Sequence, residues 1–133
     1  MAERVYCLYR GKDQESILMQ KNACHDFAEK KGWNIVGEEQ EIGVSGYKVS
    51  TDDLVKLKRI RKAAEQGEFD ILLVFMYDRL GRNLNETPFI AKWFTKKGIH
   101  VWSVYEGEII DGVDAERMLD YIRFWQTDEA QKL

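Results

Sequence analysis

FDILLVFMYDRLGR, residues 69–82, joins an unbroken apolar run to a polar turn that carries two arginines. A strand with one wet face alternates apolar and polar residues, whereas a run without alternation needs cover on both faces, the situation of a central parallel strand between helices. The turn that follows then lies at the carboxyl end of that strand, where open α/β sheets gather their ligand chemistry.

The flanking segments fit the same architecture. Upstream, LVKLKRIRKAAEQG (54–67) puts Leu54, Leu57 and Ala64 on one helical face and Lys58, Arg61 and Lys62 on another, with Thr51 or Asp52 as cap and Gly67 as stop. The basic face reads as a solvated one, with phosphate steering as the alternative. Further back, RVYCLY (4–9) predicts a first buried strand. ESILMQKNACHDFAEKKG (15–32) predicts a helix with Ile17, Cys24, Phe27 and Ala28 inward and Gly32 as its end. WNIVGEEQE (33–41) predicts a second strand, and IGVSGYKVST (42–51) a loop with two glycines and three hydroxyl residues.

Downstream, Thr87 and Pro88 form an N-cap and first-turn pair for a helix through Lys97, with Ile90, Trp93 and Phe94 inward and Gly98 closing it. IHVWSVYE (99–106) predicts a fourth strand and GEIIDGVD (107–114) a turn. AERMLDYIRFWQTDEAQKL (115–133) returns to helical spacing through Met118, Tyr121, Ile122 and Trp125. That last helix either packs on its own sheet or offers a partner surface. The expected fold is a three-layer α/β/α domain with a mostly parallel, Rossmann-like central sheet and a long C-terminal helix.

At 133 residues the chain has the length of one domain. Its 44% hydrophobic and 32% charged content is that of a globular protein, not a disordered or fibrous one. No apolar run is long enough to cross a membrane and the N-terminus lacks signal-peptide features, so a cytoplasmic location is expected. Cys7 and Cys24 read as small buried hydrophobes rather than a disulfide, and His25 and His100 as isolated structural or surface residues. With 23 acidic and 20 basic residues the net charge is −3, so any DNA contact has to be local.

Two strand ends carry the candidate chemistry, YRGKDQ (9–14) and YDRLGR (77–82). Arg79 and Arg82 are three apart in a strand-to-helix turn, where they can converge on one anion with Asp78 holding one in place. Arg10 could add a third guanidinium to the same phosphate. The plainer reading of such a pair is a surface ion pair. No phosphate-cradling glycine loop and no zinc-ligand spacing occurs.

RVYCLYR, LMQKNACHDFAEKKGW, GVSGYKVS, FDILLVFMYDRLGR, ETPFIAKWFTKKGIHVWSVYEGE and YIRFWQ, in this order, resemble the catalytic domain of the serine recombinases, the resolvase/invertase family, in its large mobile-element branch. The resemblance implies site-specific DNA cutting and rejoining through a phosphoserine link, with arginines stabilising the transition state and no metal or other cofactor. It implies site roles for Arg10, Gln20, Ser45, Asp78, Arg79 and Arg82, a catalytic unit over residues 1–110, and an oligomerisation or linker helix over 111–133. The partners it implies are DNA and further copies of the chain, as dimer or tetramer, with the DNA-recognition domain expected to be missing or separate.

The chain departs from the family pattern at the nucleophile. A serine is expected just after the first arginine, but Arg10 is followed by Gly11, Lys12, Asp13 and Gln14, leaving the position vacant near Gly11 or Lys12. Ser16 is the nearest hydroxyl, and its plainer role is capping the helix, which Asp13 could also do. A site arginine expected after Asp53 is replaced by Leu54. Loss of a nucleophile removes the covalent route, and loss of one preorganised donor slows such reactions by about a hundred- to a thousand-fold. The resulting expectation is an inactive recombinase domain. The alternative is a pseudoenzyme interaction module that pairs with itself or modulates an active recombinase; an unrelated phosphate-binding α/β protein would need an acidic cluster or glycine cradle that the strand ends lack.

Overall fold

A computed structural model describes residues 2–42, 51–80 and 86–109. The elements run β1 (Arg4–Gly11), α1 (Gln14–Lys31), β2 (Asn34–Ile42), α2 (Thr51–Glu65), β3 (Ile71–Val74), a 3-10 turn (Tyr77–Arg79), α3 (Glu86–Lys96), β4 (His100–Ser103) and β5 (Gly107–Ile109). The sheet order is β2-β1-β3-β4-β5, parallel through β4. Parallel neighbours cannot be joined by hairpins, and α1, α2 and α3 supply the crossovers.

Side chains alternate across the pleat, so β1 feeds two cores. Val5, Cys7 and Tyr9 join Ile71 and Leu73 under α1, against Ile17, Cys24 and Ala28. Leu8, Leu72, Val74 and Val101 face the other way, against Ile60, Ala63 and Ala64 of α2 and Ile90, Ala91 and Phe94 of α3. The β3 segment is buried throughout, as its unbroken apolar run requires, although only Ile71–Val74 of the longer predicted stretch is strand.

Asp13 caps α1: it is extended (φ −152°) and its Oδ1 accepts from the Ser16 backbone N–H at 2.8 Å, a contact worth about 1 kcal/mol. This decides between the two candidate caps. Gly32 closes the helix at φ 74°, its N–H donating to the Ala28 and Glu29 carbonyls. Helix α3 begins at Glu86, one residue before the expected Thr87 cap. Trp93 is half-buried at the margin of the core, not wholly inward.

The predicted turn after β4 is corrected in part. Gly107–Ile109 forms an antiparallel edge strand, with Val101 opposite Ile109 and Trp102 opposite Glu108. Ser103 Oγ accepts from the Glu106 N–H at 2.7 Å, and Gly107 takes a positive φ of 93°, which turns the chain back within three residues. Ile109 is buried, and burial of this residue favours the pairing. The expected loop with Ser45, the cap side chains of Thr51 and Asp52, and the C-terminal helix over 111–133 lie outside the described residues.

Candidate functional site

From β1 the chain crosses through α1 to β2 on one side, and β3 lies on the other side of β1. The carboxyl ends of β1 and β3 therefore flank the point where strand order reverses, which opens a crevice in sheets of this kind. Arg10 ends one bank and the Tyr77–Arg79 turn the other.

Arg10 lies in register with Glu41 of β2, and its Nε donates to Glu41 Oε2 at 3.1 Å. The pair is largely withdrawn from water, with 17% of the Arg10 and 4% of the Glu41 side chain exposed. Nη1 of Arg10 is buried without a hydrogen-bond partner, so the guanidinium keeps one donor unanswered.

The backbone of Arg10 lies beyond the last β1–β3 register pair, Leu8 with Val74. Gln20 takes over there. Its Oε1 accepts from Arg10 N at 3.1 Å, and its Nε2 donates to Arg10 O at 2.7 Å and to Ser16 Oγ at 3.3 Å. Gln20 is fully buried, so these bonds meet a polar requirement that water cannot meet. Gly11 is packed as tightly: a Cβ there would come within 2.5 Å of Ser16 Oγ and 2.9 Å of Ser16 Cβ. Of the two positions after Arg10 where the expected serine could fall, Gly11 has no room for a side chain, whereas Lys12 is exposed.

On the opposite bank, Tyr77 is buried, its N–H donates to Glu106 Oε2 at 2.9 Å, and its hydroxyl donates to the Gly107 carbonyl. The β4–β5 turn thus clasps the start of the arginine turn, and buried Leu80 anchors its end. Arg79 is half-buried; the side chain of Asp78 and the whole of Arg82 lie outside the described residues, as does Ser45. Of the sequence-predicted site residues, Arg10 and Gln20 are joined by hydrogen bonds, with Arg79 on the facing strand end.

Sequence reasoning missed Glu41, Glu106 and Ser103. Glu41 carried a usable signal, an acid late in the second strand where a parallel partner ends in arginine. Among the described residues no group of three His, Cys, Asp or Glu side chains could hold a metal ion.

A second polar cluster lies beside β2. Glu38 Oε2 accepts from Tyr9 Oη at 2.7 Å and meets His25 Nε2 at 2.9 Å. Burial acts to raise the Glu38 carboxyl, but hydrogen bonds from His25 and Tyr9 prevail and hold it below the usual value of 4.5. Burial pushes the Tyr9 phenol up, aided by Cys7 and Glu38. Cys24 is raised by its hydrogen bond with Cys7 and by burial; both cysteines are buried and free.

The sequence model of the resolvase N-terminal domain matches residues 10–129. The chain belongs to the resolvase family. Among solved structures, this resolvase domain is similar to the N-terminal catalytic domain of TP901-1 integrase, at 26% identity over 93% of this chain and 96% of that one, with a TM-score of 0.72. It shares its fold with a resolvase family site-specific recombinase from Streptococcus pneumoniae, at 20% identity over 97% of this chain and 91% of that one, TM-score 0.72. It also shares its fold with the catalytic domain of ISC1926 TnpA, an IS607-like serine recombinase, at 22% identity over 91% and 79%, TM-score 0.65. No match is found among curated proteins. No helix among the described residues is long and apolar enough to cross a membrane.

Proposed function

We propose that this resolvase domain binds DNA phosphate at the end of β1 within a site-specific recombination system, but does not form the phosphoserine link that cuts the strand. The observation that carries the reading is the contrast within one turn. Arg10 is held by Glu41 and Gln20 with a buried donor to spare, while the positions after it offer Gly11 and Lys12 in place of a hydroxyl. Arg79, Asp78 and Arg82 would complete the anion site and Ser45 would approach it from the loop. Residues 1–110 would make up the resolvase-like unit that holds the phosphate site, and 111–133 the helix through which copies associate. Family membership supports a setting in DNA recombination, integration or transposition.

The test is covalent trapping on DNA fragments spanning the protein's own locus, resolved on a denaturing gel. No protein–DNA adduct is expected from the native chain. An adduct refutes the reading, and its loss in Ser16→Ala would assign the substitute nucleophile.

A second reading, an interaction module for an active recombinase, is favoured by Phe89, which is 75% exposed on α3. Sedimentation with a full-length serine recombinase separates the two, since a chain that forms no complex with such a partner refutes the module.

A further inference from the structure

The ion pairs of the described residues are unevenly spread. Arg4, Arg10, His25, Lys30, Arg59 and His100 each face a carboxylate. Among the described residues, no ion pair involves Lys58, Arg61 or Lys62 of α2, Lys92 or Lys96 of α3, or Lys97 just beyond it. All six lie on the same side of the sheet, because α2 and α3 both cover the face lined by Leu8, Leu72 and Val101. Among the described side chains of this region the acids are Glu65 and Glu68, both exposed and neither ion-paired.

Trp93 ties the two rows together. The Arg61 guanidinium carbon lies 5.1 Å from its ring centroid and Lys97 Nζ lies 5.4 Å from the same ring. One indole therefore holds two like charges within about one Debye length of each other at 0.1 M salt. Arg61 Nε is in addition buried without a hydrogen-bond partner. Basic residues in a last helical turn answer the helix dipole, which accounts for Lys62 and Lys96. It does not account for Lys58 and Lys92 one turn earlier, or for the doubly occupied tryptophan.

The patch is remote from the crevice. Helices α2 and α3 return the chain from the carboxyl to the amino ends of the strands, and the six cations run from the middle of each helix, at Lys58 and Lys92, to its end and, with Lys97, just beyond. At 1.5 Å per residue α2 is about 22 Å long, so the patch lies toward the end of the domain opposite Arg10 and Tyr77.

We propose that the α2–α3 face, centred on Arg61, Trp93 and Lys97 and flanked by Lys58, Lys62, Lys92 and Lys96, is a sequence-independent docking surface for the phosphate backbone of duplex DNA, separate from the crevice at Arg10 and Tyr77. Charge complementarity selects a polyanion; the choice of DNA rests on the recombinase reading above. The rows carry no built-in base readout, so contacts there position the duplex and leave its sequence unread.

The experiment is fluorescence anisotropy with a random duplex of about 30 base pairs between 50 and 200 mM salt, on the native chain, the triple variant Lys58→Gln/Lys62→Gln/Lys96→Gln, and Arg10→Gln. Each phosphate contact contributes roughly 0.9 to the slope of log affinity against log salt, so six contacts predict a fall of about a thousand-fold and three a fall of about forty-fold. The native chain should show the steep dependence, the triple variant the shallow one with weaker binding throughout, and Arg10→Gln, which removes one crevice contact, should lower the slope by no more than about 0.9. An unchanged slope in the triple variant, absence of duplex binding at 50 mM salt, or equal affinity for polyglutamate overturns the proposal. Loss of binding in Arg10→Gln alone also overturns it and leaves the crevice reading standing. Loss in the triple variant alone upholds the patch whatever covalent trapping shows. The substituted lysines are exposed, and a circular dichroism melt verifies that the variant folds.

Discussion

Replacing Glu41 by Gln keeps the shape of the β2 end and removes the charge that faces Arg10. The contact is 3.1 Å long and almost dry on the Glu41 side. Breaking a fully buried pair by removing one partner destabilises by about 3–5 kcal/mol, because the remaining charge stays buried and uncompensated. Arg10 retains 17% side-chain exposure and can recover part of its hydration, and glutamine still offers an oxygen, so the expected loss is about 2 kcal/mol. For a domain of this size that is a fall in Tm of roughly 6–10 °C. The assay is urea and thermal unfolding of Glu41→Gln, Arg10→Met and the double variant. If the two side chains act as a pair, the double variant loses less than the sum of the singles, with a coupling energy of about 1–3 kcal/mol. A coupling energy below about 0.5 kcal/mol would refute the view that Glu41 holds Arg10 in place.

Two further outcomes follow from the same turn and from the charged pairs. Gly11→Ser should destabilise by about 1–3 kcal/mol in a denaturant titration, since its Cβ would meet Ser16 at 2.5 Å, whereas Lys12→Ser at an exposed position should stay within about 0.5 kcal/mol; the reverse order would overturn the packing argument. Stability should decline on acidification. Hydrogen bonds from Arg4 hold Asp70 below its usual 3.8, and Glu38 lies below its usual 4.5 despite burial, so both stabilise the fold above those values. That contribution is lost as pH falls through the lower folded-state values, and Glu38→Gln should flatten the Tm profile between about pH 5 and 2.

Much of the fold was legible because its signals are local. The unbroken apolar run at Ile71–Val74 required cover on both faces, and Gly32 and Gly98 ended helices where left-handed backbone was needed. Strand β5 was not legible: GEI has no alternation of its own, and it pairs because Ser103 and Gly107 turn the chain back and Ile109 reaches the core opposite Val101. In the site, Arg10 was named from its place at a strand end and Gln20 from the family pattern, but the reason for a glutamine was hidden, since its amide answers a backbone left unpaired by the end of β3. Glu41 and Glu106 were missed because their partners come from register and from a turn that periodicity does not report.

The Gln20 amide also bears on how the domain assembles. Arg10, Asp13, Ser16 and Gln20 are bound to one another within a span of ten residues, so their contacts close over a short loop with little entropy to overcome. Tyr77 and Glu106 meet across 29 residues, and Arg10 and Glu41 across 31. Short-range contacts of the first kind form early in folding and the others wait for the sheet. Each bank of the crevice therefore depends on one bond that closes only with the strands in register, Arg10 to Glu41 on one side and Tyr77 to Glu106 on the other, while the turn between β1 and α1 is braced by bonds of its own.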